Sequence, residues 1–177
     1  MRWYVADKDY IKYLRTIDSK VQEIDYKTKF KPYFGIVFEI NDYSYYLPVS
    51  SARPKHTTMK NGKDFHKIVD TKDGTLISII NINNMVPMPN EYIEELWYKD
   101  IDQYRTFKDN KDRDDYIRLL RKEHYIIKKD REIIKKNAEF PYRHVESNPS
   151  SNLSQRCCNF KLLENGISGY KPSASFI

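Results

Sequence analysis

Residues 33–56, YFGIVFEINDYSYYLPVSSARPKH, decide the fold of this 177-residue chain. Two β-prone runs, residues 33–40 and 43–49, flank Asn41 and Asp42, and the pattern predicts an antiparallel hairpin. Pro48 lies near the end of the second run. It predicts an edge position or a bulge, because proline has no N–H to give to a ladder. Ser50 and Ser51 stand where that strand ends, and Arg53, Lys55 and His56 follow at once. Pro54 stiffens the turn between them. Hydroxyls, two fixed cations and one imidazole on one loop suit a phosphate group in its ground and transition states. The plainer reading is a polar turn with ordinary surface charge, since Ser, Pro and Lys are common loop residues.

Outward from the hairpin, residues 2–6 read as a strand. Asp7 caps a helix through about Ile17, with Tyr10, Ile11, Tyr13 and Leu14 on its inner face. Residues 19–31 are polar and lysine-rich and read as a loop. Beyond His56, the pairs Asn61-Gly62 and Asp73-Gly74 mark turns around a strand at 65–69. Residues 76–82, LISIINI, form the most apolar strand, and 85–88 continue extended. Asn90 then predicts a helix through Tyr98. Residues 104–136 carry Leu119/Leu120, Ile126/Ile127 and Ile133/Ile134 at heptad spacing. That is one apolar stripe of a long helix, broken near 109–112 and ended by Pro141. Residues 146–154 read as a loop, and 159–164 as a short helix stopped by Gly166. Strands first and helices after predict one α+β domain over residues 1–177. Its core is a compact, strongly bent antiparallel sheet covered by helices, including a long one in the C-terminal half.

The net charge of +6 and pI near 9.1 favour a polyanionic partner. Fifteen tyrosines can stack on bases, but filling half-buried sheet positions is their commoner use. No apolar run is long enough to span a bilayer, and the N-terminus is too polar for a signal peptide. A cytoplasmic protein with no membrane partner is expected. Cys157 and Cys158 are adjacent, so an unstrained disulfide between them is excluded, and alone they make a poor metal site. They read as packing residues in a reducing compartment. No carboxylate cluster falls within the serine loop, so neither metal nor other cofactor is expected.

Five stretches, taken in order, carry a family resemblance: YIKYLRTIDSKV (10–21), FGIVFEI (34–40), YYLPVSSARPKH (45–56), IININNMVPM (79–88) and CNFKLLE (158–164). Together they resemble the ToxN/AbiQ family, endoribonuclease toxins of type III toxin–antitoxin systems that act in abortive infection against phage. The resemblance implies a barrel-like sheet similar to the Kid/MazF toxins and metal-independent RNA cleavage. It implies neutralisation by a small repeated antitoxin RNA folded into pseudoknots, processing of that RNA's precursor, and a higher-order protein–RNA assembly. Cellular or phage RNA would be the substrate. The family's hydroxyl pair falls on Ser50 and Ser51. Its catalytic lysine falls on Arg53, a departure that leaves Lys55 to take over proton donation. Lys31 matches a basic RNA-binding residue before the first long strand, and Tyr125 lies near the family's RNA-stacking aromatic.

Without a metal, RNA is cut by its own 2′-OH, leaving a 2′,3′-cyclic phosphate and a 5′-OH. The protein must align the attack, remove a proton, stabilise charge on the phosphorane and protonate the leaving oxygen. Ser51 is the best candidate for a hydroxyl on the scissile phosphate, with Ser50 in support. Arg53 and Lys55 would stabilise charge. His56 reads equally as a proton shuttle or as a structural loop histidine. His66, His124 and His144 read as structural. A non-catalytic RNA-binding module would use the same basic loop and tyrosines.

Overall fold

A computed structural model describes residues 2–24, 32–35, 38–40 and 42–172. Strand β1 (Arg2–Ala6) and helix α1 (Lys8–Ile17) fall where the sequence pattern puts them. The Asp7 carboxylate accepts the Asp9 and Tyr10 amides at 2.7 and 3.0 Å, satisfying donors that an α-helix leaves open at its start. The hairpin is also present. Strands β2 (Tyr33–Gly35) and β3 (Glu39–Ile40) both pair with β4 (Tyr43–Ser51), and Asp42 takes the left-handed turn conformation at φ 66°. Gly35 is required for packing: a Cβ there would stand 2.1 Å from the ring of buried Tyr46.

After β4 come the short helix α2 (Lys55–Thr58) and strands β5 (His66–Val69), β6 (Leu76–Ile80), β7 (Val86–Pro87) and β8 (Ile93–Glu95). The eight strands form one antiparallel sheet in the order β5-β6-β4-β2-β1-β8, with β3 and β7 also on β4. No pair joins β5 to β8 among the described residues, so closure into a barrel is not observed.

Pro48 is not at an edge. It lies inside β4, which has partners on both sides. On one side, β4 pairs with β7 at Tyr45 and Tyr46 and with β6 from Val49 onward. The missing N–H of Pro48 falls in the gap between those partners, where no ladder bond is lost. The Pro48 carbonyl there accepts the Asn81 amide at 3.0 Å.

The helix expected at 90–98 is replaced by a 3₁₀ turn (Asn90–Tyr92), strand β8 and a second 3₁₀ segment (Tyr98–Gln103). The open edge of β1 pairs with Ile93–Glu95, and the Arg2 guanidinium meets Glu95 at 2.6 Å. This pairing outweighs the weak preference of a short helix.

The long stripe is two helices, α3 (Asn110–Lys129) and α4 (Arg131–Ser147), interrupted at Asp130. The expected break near 109–112 is the start of α3, where Asp109 accepts the Asp112 amide at 2.8 Å. Pro141 does not end α4. It is buried beside Ala138 and Tyr142 within a helix that continues to Ser147. Burial of that face offsets a loss of roughly 3 kcal/mol for an interior proline. A short helix α5 (Asn152–Arg156), capped by Ser151, occupies part of the expected loop, and α6 (Phe160–Gly166) is capped by Asn159.

The core lies between the sheet and the helices. Tyr10, Tyr33, Tyr45, Tyr46 and Tyr142 are all buried, the packing use expected of them. Tyr45 and Tyr142 each donate to the buried Glu164 carboxylate at 2.8 Å, tying α6 to β4. Cys157 and Cys158 are free and buried.

Glu123 on α3 is buried, and loss of hydration pushes its carboxyl from 4.5 up to about 7. Only the nearby Ser78 hydroxyl, which falls short of hydrogen-bond geometry, opposes that rise. Between these two values the folded chain holds a proton that the unfolded chain has lost. The contribution to stability is therefore full below the unfolded value of 4.5 and disappears as pH rises through about 7. Glu123→Gln should remove this loss, which is about 3 kcal/mol from the size of the shift. Urea unfolding of both proteins at pH 5 and pH 8 checks it: the variant's advantage should grow with pH, and an equal gap at both values would contradict it.

Candidate active site

The serine loop is built by strand geometry and one reciprocal contact. β4 ends at Ser51, and the chain turns through Ala52, Arg53 and Pro54 into α2. The His56 amide donates to the Arg53 carbonyl at 2.8 Å, and the Arg53 amide donates to His56 Nδ1 at 2.9 Å. The Thr57 hydroxyl closes the same turn on the Pro54 carbonyl at 2.7 Å. Pro54 suits this turn because its fixed φ matches the observed −49° and no N–H is demanded of it.

His56 is buried, with 6% of its surface exposed. Burial first, then the charges of Lys55, Arg53 and Lys67, lowers its pKa below 6.5, so the ring is neutral at pH 7. Because Nδ1 accepts the Arg53 amide, the ring proton sits on Nε2. His56 thus presents an N–H donor, and its other nitrogen braces the loop. The catalytic and structural readings stood level in the sequence; the observed bonds are the structural ones.

Ser50, Ser51, Arg53, Lys55 and His56 line a single groove of about 740 Å³. All five sequence candidates from the loop are brought together there. Arg53 and Lys55 are exposed at the rim, and neither forms an ion pair among the described residues. The two hydroxyls differ. The Ser50 Oγ accepts from Asn81 Nδ2 at 2.9 Å and donates to Gln22 Oε1 at 3.3 Å. Ser51 is exposed at the last residue of β4, paired with Ser78 across the ladder, and its hydroxyl carries no comparable bond among the described residues.

The opposite wall comes from α1. Lys8, Lys12 and Arg15 line the groove at i, i+4 and i+7, one face of the helix. Lys12 meets Asp9 at 2.8 Å, and Arg15 donates to the Val21 carbonyl. With Arg53 and Lys55 this makes, among the described residues, five cations against one lining carboxylate, Glu23. Sequence reading of α1 attended to its apolar face and missed this wall. The 8-12-15 spacing of cations was the available signal.

Lys31 lies outside the described residues. Tyr125 is 68% exposed on α3 and is not among the residues lining the groove. His66 meets the Asp130 carboxylate at 2.9 Å, and His144 the Ser151 hydroxyl at 2.9 Å. Phe34 packs edge-on against His124. Among the described residues no three His, Cys, Asp or Glu side chains converge as a metal site, and no helix is long and apolar enough to cross a membrane.

Known proteins share the sequence and fold of this chain. Residues 2–168 match the family model for the toxin ToxN of type III toxin–antitoxin systems. Endoribonuclease ToxN of Bacillus thuringiensis subsp. kurstaki is 28% identical, over 96% of this chain and 84% of that protein. Endoribonuclease AbiQ of Lactococcus lactis subsp. lactis is 26% identical, over 99% of this chain and 92% of the relative. Similarity to AbiQ is thus of the same order as similarity to ToxN. One solved structure, from work on selective toxin inhibition by a non-coding RNA pseudoknot, superposes with a TM-score of 0.80. It is 25% identical and covers 97% of this chain and 98% of the other. The structure of AbiQ, a lactococcal anti-phage endoribonuclease, gives a TM-score of 0.77 at 25% identity, covering 96% of each chain. With the family model spanning almost the whole length, this chain belongs to the ToxN family of type III toxin–antitoxin toxins.

Proposed function

We propose that the chain is a metal-independent endoribonuclease toxin that cuts RNA in the groove between α1 and the end of β4. The observation that carries this is a groove that, among the described residues, has five cations, one carboxylate and, at its rim, a free hydroxyl beside two unpaired cations. In this reading the substrate is cellular or phage RNA, and the outcome is abortive infection. A repeated antitoxin RNA folded as a pseudoknot neutralises the protein, is itself cut from its precursor, and joins it in a larger assembly. The setting is the cytoplasm.

The groove cations hold successive phosphates, so the scissile one sits against Ser51. The 2′-OH attacks phosphorus in line and gives up its proton to solvent, the P–O5′ bond breaks, and the 5′-oxygen departs with a proton from Lys55. Products are a 2′,3′-cyclic phosphate and a 5′-OH. Ser51 donates its hydroxyl to a phosphate oxygen, where charge grows most in the transition state. Arg53 stabilises that charge but stays protonated at any workable pH and is a poor proton donor. Lys55 is the better donor to the leaving oxygen, and the Nε2–H of His56 adds a hydrogen bond. Lys31 and Tyr125 serve RNA binding. The groove explains less well a module that only binds RNA, because a binding surface has no need of an unbonded hydroxyl beside two free cations. Incubation with RNA in EDTA separates the two: cleavage supports the enzyme, and binding without cleavage supports the module.

Ser51→Ala is expected to stay folded and to lose single-turnover cleavage by about 10²–10³-fold, the usual effect of removing one charge-stabilising donor. A parental rate would remove Ser51 from the site. Arg53→Lys is expected to keep substantial activity, and Lys55→Ala to lose about 10²-fold in rate with smaller change in affinity. If both Lys55→Ala and His56→Ala cleave at the parental rate, proton donation by this loop is wrong. RNA affinity should fall steeply between low and physiological salt, as bound counterions are released. Affinity that stays flat across that range would argue against a phosphate-binding groove.

A further inference from the structure

We infer that Asn81 is a positioning residue for RNA cleavage, acting through Ser50 on the end of β4 that carries Ser51. The inference rests on the groove being the active site. It comes from a chain of hydrogen bonds whose direction can be worked out link by link. Asn84 Nδ2 donates to the Lys20 carbonyl at 2.8 Å, and a carbonyl can only accept. Asn84 Oδ1 therefore faces Gln22, whose Nε2 donates to it at 3.4 Å. Gln22 must then turn Oε1 toward Ser50, so the Ser50 hydroxyl gives up its proton to that contact at 3.3 Å. With its proton engaged, Ser50 offers lone pairs, and Asn81 Nδ2 donates into one of them at 2.9 Å.

Two consequences follow. Ser50 cannot donate to a phosphate without leaving Gln22, so the pair divides its labour: Ser50 is held and Ser51 is free. Asn81 also grips the strand twice. Its main-chain N–H donates to the Pro48 carbonyl at 3.0 Å, and its side chain holds Ser50 two residues on. This is the stretch where β4 has left β7 and takes up β6. Ser51 is the last residue of the strand, paired with Ser78, and beyond it the chain is held by the Ala52 amide on the Ile77 carbonyl at 3.3 Å and by the Arg53–His56 turn. A displacement of about 1 Å at a reacting group can cost on the order of 10²-fold in rate.

The test uses the full chain and a short RNA that the parent cleaves, with a counterpart carrying 2′-deoxyribose at the cut to measure binding. Single-turnover rates at saturating protein are taken for Ser50→Ala, Asn81→Ala and the double variant, with Ser51→Ala as reference. Expected is a loss of about 10-fold or more for Asn81→Ala, with affinity for the deoxy probe changed less than about 2-fold. The double variant should be no slower than the slower single variant, since Asn81 acts through Ser50, and Ser50→Thr should recover most of the rate. Losses that multiply, a loss in affinity alone, or a parental rate for Asn81→Ala overturns the inference. If Asn81→Ala melts out, Asn81→Asp replaces it. The carboxylate there draws the Ser50 proton away from Gln22, and the same non-additive loss is expected. A parental rate for Ser51→Ala would instead bring down the active-site reading itself. An inactive Ser51→Ala beside a fully active Asn81→Ala brings down only this inference.

Discussion

The structure depends on β4 being a shared strand. Tyr43–Ser51 is hydrogen-bonded to β2, β3, β6 and β7, so the central part of the sheet meets on one segment. Tyr45, Tyr46 and Leu47 are buried in its middle, and their burial gives the segment a register it cannot slip from without exposing large rings. The site sits at its end, where pairing stops and the chain emerges from the sheet. A well-ordered strand thus delivers Ser51 to solvent with little freedom, and the exposed loop that follows supplies charge.

Rigidity and exposure are divided along that segment. The hydroxyl of Ser50 belongs to a network reaching across to Asn84 and the Lys20 carbonyl, and His56 is bonded back to Arg53 within its own turn. Arg53 and Lys55 are left without carboxylate partners among the described residues. Their mutual repulsion is tolerated because both face water, and it is relieved when an anion enters. Unpaired cations beside a neutral, buried imidazole are an arrangement suited to a polyanion.

Helix α1 links the fold to the groove. Its inner face, Tyr10, Ile11 and Leu14, packs into the core, and Tyr10 donates to the Pro87 carbonyl on β7 at 3.0 Å. The same helix turns Lys8, Lys12 and Arg15 toward the groove. Core packing on one face therefore sets the orientation of the cations on another, and a repacked α1 would move the phosphate-facing wall.

Local signals in the sequence determined the elements whose causes are local. Asp7 as a cap, Asp42 in a turn, the β-prone run of β4 and the burial of adjacent cysteines all concern residues close in the chain, where local hydrogen bonding and residue preference decide the outcome. The serine–cation loop was legible for the same reason, since its five candidates lie within seven consecutive residues. Tertiary structure decided the rest. Residues 93–95 became a strand because β1 had an open edge, and Pro48 sits in a central strand because the partners change over beside it. Pro141 stays inside α4 because its face is buried. The α1 wall and the Asn81–Ser50–Gln22–Asn84 network join segments separated by up to 62 positions. No local pattern can announce such pairs, since each depends on which surfaces the packed core brings together.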